Sequence, residues 1–169
     1  MTKPASDAAP ADRGHRPVAF LLSSLGYAAT AQFRDRLRPL RLDPRQYAVL
    51  RTIGTSAGQP QHAIGDLLRI PRSRMVALTD TLEHRGLIER HPYPDDRRVR
   101  TLHLTPAGRD LLGQATALAR DFDTELCAAL TPAQHAQLAR LLTQLAASLD
   151  LPPTAHASSR QTTPGWPSS

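Results

Sequence analysis

Cysteine occurs once in this chain, at Cys127, and lysine once, at Lys3. A single cysteine excludes an internal disulfide and any CxxC metal or redox motif. Aromatic residues make up only 4% of the 169 residues, although hydrophobic residues reach 40%. The core must therefore be aliphatic, mostly Leu and Ala, a mixture that favours helices. No run of about 18 apolar residues occurs, so no transmembrane helix is expected. The opening "MTKPASDAAPADRGHRP" lacks the apolar stretch of a secretory signal, and the expected location is cytoplasmic. HExxH, a nucleophile elbow and a glycine-rich phosphate loop are also missing, and the seven histidines are scattered. Neither an enzyme, nor a cofactor, nor a metal site is expected. His84 and His91 are read as facing a groove or solvent.

What is present is arginine and proline. The formal net charge is +6, nearly all of its positive part from arginine. A GC-rich genome explains the Arg/Lys ratio but not the net charge, which points to an anionic partner. Proline cannot sit in a helix interior, because it lacks the N–H and clashes with the preceding turn. Seven of the fifteen prolines fall in residues 1–17 and 150–169. These ends are rich in Ser, Thr and Ala, and both are expected to be disordered. Pro39, Pro44, Pro60, Pro71, Pro92, Pro94, Pro106 and Pro132 separate segments that look regular.

Residues 18–38 carry Val18, Leu21, Leu22, Leu25, Ala29, Phe33 and Leu37 at helical spacing. A second helix starts at "LDPRQYAVLRTI", with Asp43 as cap, Pro44 at the first helical position and Gln46 completing a capping box. A short third helix covers about 61–69. A fourth, 71–86, stops at Gly86 and has Met75, Leu78, Thr79 and Leu82 as its apolar stripe. Beyond Gly86 the period changes. "LIERHPY" and "VRTLHLT" predict two strands, with Leu102 and Leu104 alternating with Thr101 and His103. Thr105 and Pro106 then open a long helix reaching about Leu130, and "TPAQ" at 131–134 caps a last one. Two helices joined by a tight turn and followed at once by a hairpin form a winged helix-turn-helix, in a mostly α protein.

That architecture gives meaning to "PDDRRVR" at the hairpin tip. A narrow, electronegative minor groove attracts inserted arginine. A neighbouring carboxylate can hold such an arginine extended through a charge-assisted pair. Asp96 is expected to orient Arg98 in this way, with Arg97 and Arg100 facing phosphates.

The stretch "MVALTDTLEHRGLIER…PDDRRVRTLHLTPAGRDLL" resembles the multiple-antibiotic-resistance regulator (MarR) family of bacterial transcription factors. The matching residues are Leu82, Glu83, Gly86, Leu87, Ile88 and Arg90, then Asp96, Arg97 and Arg98, then Leu104, Thr105 and Gly108. The resemblance spans about 18–149. It implies a homodimer built from helices 18–38 and 105–149, a DNA-binding lobe at 44–104, operator DNA as partner, and repression modulated by a small-molecule effector. In that family the wing Asp-x-Arg pattern falls on Asp96 and Arg98, and the arginine enters the minor groove. Two positions depart from the pattern. Val76 and Ala77 stand where a polar residue is common in the recognition helix, which shifts the expected base contacts to Arg72, Ser73 and Arg74. Gly65 stands where Ala is common, which suggests close packing there.

The family's effector pocket lies between dimer helices and DNA-binding lobe, which makes Tyr27, Phe33, Tyr47 and Phe122 the candidate lining. Two rivals remain: a redox switch through Cys127, and a winged helix turned into a protein-interaction adaptor. The adaptor would have lost its basic wing, and this chain keeps Arg97, Arg98 and Arg100.

Overall fold

The computed structural model describes residues 17–93 and 99–151. Its elements run α1 (Val18–Leu37), a 3₁₀ turn (Arg38–Leu40), α2 (Pro44–Thr55), α3 (Gln61–Leu67), α4 (Arg72–His84), β1 (Ile88–Pro92), β2 (Arg100–Leu104), α5 (Pro106–Leu126) and α6 (Pro132–Ser148). The fold is a winged helix-turn-helix with long flanking helices. No helix is long and apolar enough to cross a membrane among the described residues. The expected disordered ends, apart from Pro17, Asp150 and Leu151, lie outside the described residues, as do Asp96, Arg97 and Arg98.

Local chemistry sets the helix starts. Asp43 accepts hydrogen bonds from the backbone N–H groups of Arg45 and Gln46, and the Gln46 side chain accepts from the Asp43 N–H. Thr131 and Gln134 repeat this reciprocal cap on α6. Thr105 caps α5 by accepting from the Gly108 N–H at 3.0 Å. Each such cap contributes about 1 kcal/mol. α5 ends four residues before the expected Leu130, because the chain turns at Cys127–Leu130, where the Leu130 N–H meets the Cys127 carbonyl at 2.9 Å.

The core lies almost wholly in the helix-turn-helix lobe. Leu50 and Ile53 of α2, Ile64 of α3, Met75 and Leu82 of α4, and Ile88 and Leu102 of the hairpin are all fully buried. α1 contributes only its last turns, Phe33 and Leu37. Its other stripe residues, Val18, Leu21, Leu22 and Leu25, are exposed. No residue of α6 is buried. Leu138, Leu141, Leu142, Leu145 and Leu149 are each at least 39% exposed, an apolar face without a cover inside the protomer.

The strands pair antiparallel, with Ile88 opposite Leu104 and Pro92 opposite Arg100. Thr101, a polar member of the alternating run, is buried along with its neighbour Leu102. The reason is a third extended segment on the far side of β2. Gly58 N–H donates to the Leu102 carbonyl, Leu102 N–H donates to the Gln59 carbonyl, and Pro60 bridges to Thr101. Gly65 is buried, yet a Cβ there would sit 3.4 Å from the Ile70 carbonyl oxygen and 3.4 Å from Met75 Cγ. That is ordinary contact, so the expected close packing does not itself demand glycine.

Candidate nucleic-acid interface

α4 splits cleanly into two faces. Met75, Thr79 and Leu82, spaced by four and three, point into the core. Arg72, Ser73, Arg74, Val76 and Ala77 are exposed on the other side. A cleft runs along this exposed side, bordered by His62 of α3, Arg72 and Val76 of α4, and Val99 and Arg100 at the base of the wing. The structure thus gathers six of the eight predicted DNA contacts (Arg72, Ser73, Arg74, Val76, Ala77 and Arg100) around the recognition helix and the wing base. Arg97 and Arg98, with Asp96, the residue expected to orient Arg98, lie outside the described residues.

Arg90 of β1 ties the wing to that helix. Its guanidinium donates to the Thr79 hydroxyl at 2.6 Å, to Asp80 Oδ1 at 2.6 Å, to Glu83, and through Nε to Gln61 Oε1 at 3.3 Å. The side chain is only 19% exposed. Charge-assisted bonds to two carboxylates from one fork fix both angle and distance. The single guanidinium offsets one of the two acidic charges of Asp80 and Glu83, and the exposed face carries Arg72 and Arg74, with Asp66 also lining the cleft.

A second fixed joint links α4 to α5. Gly86 takes φ +67°, a left-handed conformation that suits glycine. Gly86 N–H bonds the Glu83 carbonyl at 2.8 Å and Leu87 N–H bonds the Leu82 carbonyl at 3.0 Å, a Schellman closure. The Leu87 carbonyl then accepts from Thr105 N–H at 3.1 Å, and the Thr105 hydroxyl donates to the Gly86 carbonyl at 2.6 Å. Gly108 lies so close that an added Cβ would stand 1.9 Å from the Leu87 oxygen. The sequence motifs "RGL" and "LTPAG" are therefore the two halves of one contact, which sets how the recognition helix hangs from the long helix.

Of the four aromatics predicted at the lobe junction, three meet. Phe33 stacks on Phe122 with ring centroids 5.6 Å apart and meets Tyr47 edge-on at 5.5 Å. The Arg36 guanidinium lies 5.4 Å from the Phe122 ring centre. Arg36 also forks onto Glu125 of α5, with one bond of 2.9 Å. That hydrogen bond holds the Glu125 carboxyl below its ordinary range, with desolvation opposing it and the Arg36 charge adding to it. Tyr27 does not join them within the protomer. Six residues before Phe33 on α1, it points about 120° away, and it is 83% exposed. Beside the cluster, Tyr47, Arg51, Ala119, Arg120 and Asp123 line a cleft of about 490 Å³ between α2 and α5.

Sequence reasoning missed the Arg90 clamp and the Gly108 contact as physical features, although both residues belonged to the recognised pattern. The acids facing Arg90 lie seven and ten residues upstream, across the Gly86 turn, a pairing that only tertiary structure creates. Cys127 caps α5, half-buried, and is the chain's sole thiol.

Comparison with known proteins agrees with this geometry. The MarR family profile matches residues 42–99. A candidate transcriptional regulatory protein for the hcr operon of Thauera aromatica is 33% identical over 119 residues, covering 68% of this chain and 72% of that protein. The transcriptional repressor CouR, solved bound to a 23-mer DNA duplex, superposes with a TM-score of 0.72 at 32% identity, over 76% of this chain and 92% of that one. A mutant MarR from E. coli complexed with operator DNA superposes at 0.69 with 26% identity, over 76% and 93%. The chain belongs to the MarR family and is a transcriptional regulator.

Proposed function

We propose that this regulator is a cytoplasmic homodimer that binds operator DNA and represses transcription. The observation that carries this is Arg72, on the exposed face of α4, sharing one cleft with Arg100 of the wing. α4 enters the major groove, where Arg72, Ser73 and Arg74 reach base edges and phosphates near the helix start. The wing lies along the adjacent minor groove, with Arg98 inserted, Asp96 orienting it, and Arg97 and Arg100 on phosphates. Relatives solved on DNA, CouR and the E. coli MarR mutant, support this docking. The bare leucine face of α6 and the exposed apolar residues of α1 support dimerisation through those helices with α5. Two recognition helices related by a two-fold axis read half-sites about 10 base pairs apart.

A small-molecule effector acts from the cleft between α2 and α5, where Arg51 and Arg120 offer charge to an anionic group and Tyr47 an apolar wall. Phe33 and Phe122 pack behind it.

Fragments selected from random DNA by the purified protein give the operator. Affinity for it falls steeply with salt, because phosphate contacts release counterions. Arg98→Ala weakens binding by about 1–3 kcal/mol, the scale of one good arginine contact. Asp96→Ala also weakens it, despite removing a negative charge near DNA; tighter binding by that variant disproves the orienting role. A monomer by sedimentation at micromolar protein disproves the dimer.

A further inference from the structure

The corner between α5 and α6 brings three different metal-binding side chains together. Asp123 and Cys127 are four apart at the end of α5, so they share a face. The chain then turns through Leu130 and restarts at Thr131, which points His135, on the first turn of α6, back at them. His135 Nε2 lies 3.2 Å from Asp123 Oδ2. The carboxylate oxygen, the Cys127 sulfur and the imidazole nitrogen all lie within 4.8 Å of one another. It is the one such convergence of three among the described residues.

We propose that Asp123, Cys127 and His135 form a binding site for a zinc-like divalent transition ion. Zinc takes thiolate at about 2.3 Å and imidazole or carboxylate at about 2.0–2.2 Å in tetrahedral array, which sets donor separations near 3.4–3.6 Å. The nitrogen–oxygen pair, at 3.2 Å, is within about 0.2 Å of that spacing. From a separation of at most 4.8 Å the sulfur needs to close by up to about 1.4 Å, a shift within reach of a side-chain rotation at a helix end. The donor set selects the metal class. A soft thiolate with an imidazole suits zinc, whereas calcium and magnesium call for oxygen ligands throughout. Three protein donors leave the fourth position to water. Asp123 and His135 keep 62% and 42% of their side-chain surface in solvent, which gives the ion a way in. Binding replaces the thiol proton with the metal and releases that proton to solvent.

The ion has a mechanical consequence. No α6 residue is buried in its own protomer. A metal bonded to both helices fixes their angle at the corner, and with it the dimer-forming leucine face.

The test uses the full chain without a purification tag, stripped of metal and titrated with cobalt(II). The wild type is expected to bind one cobalt per chain, with a thiolate-to-metal charge-transfer band and tetrahedral ligand-field bands, both displaced by one equivalent of zinc. Cys127→Ser abolishes the charge-transfer band. His135→Ala and Asp123→Ala each weaken binding by at least about tenfold, as judged by competition with a chromophoric chelator. Zinc raises the melting temperature of the wild type and not of Cys127→Ser. Absence of a charge-transfer band in the wild type overturns the proposal. So does undiminished affinity in His135→Ala, which makes the thiol part of some other site.

Discussion

Gly108→Ala is the sharpest probe of the joint between recognition helix and long helix. Elsewhere in a helix this change is favourable by up to about 1 kcal/mol, because glycine loses more backbone entropy on folding. Here the new Cβ would stand 1.9 Å from the Leu87 carbonyl oxygen and 2.9 Å from its carbon. A carbon approaches such an oxygen no closer than about 3.3 Å, so the two backbones must part by about 1.4 Å. Both groups are main chain and cannot rotate away. The parting breaks the 3.1 Å bond from Thr105 N–H to that carbonyl and strains the 2.6 Å bond from the Thr105 hydroxyl to Gly86. Leu87 is only 6% exposed, so its carbonyl is left without water. The gross cost is about 2–4 kcal/mol for a broken bond and a stranded acceptor. After the propensity gain, a net loss of about 1–3 kcal/mol remains, a fall of several degrees in Tm. Melting is compared at matched protein concentration, since the proposed dimerisation shifts Tm. Gly65→Ala is the internal control: its Cβ meets only ordinary contacts at 3.4 Å, so it is expected to be neutral or stabilising by up to about 1 kcal/mol. A Gly108→Ala protein as stable as the wild type refutes the argument.

Arg90→Ala removes one fork from Thr79, Asp80 and Glu83. It is expected to cost about 1.5–3 kcal/mol in urea unfolding and to weaken DNA binding through the freed wing, with Arg90→Lys recovering only part because an ammonium cannot reproduce the fork. The Arg36–Glu125 pair gives a pH signature. Glu125 has a depressed folded-state pKa, so its contribution is present above the ordinary carboxylate pKa and is lost as pH falls through the lower, folded value. The stability difference between wild type and Glu125→Gln, followed by melting from neutral to acid pH, is therefore expected to shrink on the acid side. A difference that stays constant shows that the pair contributes nothing.

The sequence was most legible where a signal is local. Capping at Asp43, Thr105 and Thr131 is written within four residues, and each helix start appears where those residues place it. The exposed face of α4 also follows from spacing, once Met75, Thr79 and Leu82 are turned inward. What escaped was written across turns. The segment Gly58–Pro60 carries no apolar alternation, so nothing announced that it would pair with β2 and bury Thr101. Tyr27 looked like its fellow aromatics, but its angle on α1 separates it from Phe33. His135 drew no notice beside Cys127, because seven residues and a reversal of direction lie between them. The α1 stripe was read correctly as apolar, yet periodicity cannot say whether such a stripe meets its own chain or another one.

That division of labour also explains how the recognised pattern works as a physical object. Glu83, Gly86, Leu87, Arg90, Thr105 and Gly108 are spread over 26 positions, and none of them is among the residues proposed to touch a base. Together they set two angles. Arg90 fixes the wing against α4, and the Gly86–Thr105 joint fixes α4 against α5. In the proposed dimer, both recognition helices then have a set separation, and a shift at the α2–α5 cleft has a stiff route to the DNA face. Residues on the exposed face of α4, where DNA is proposed to dock, are free to differ, as Val76 and Ala77 do here, because changing them leaves both angles intact. Arg90 and Gly108 are not free in that way, since each acts on main chain or on several partners at once.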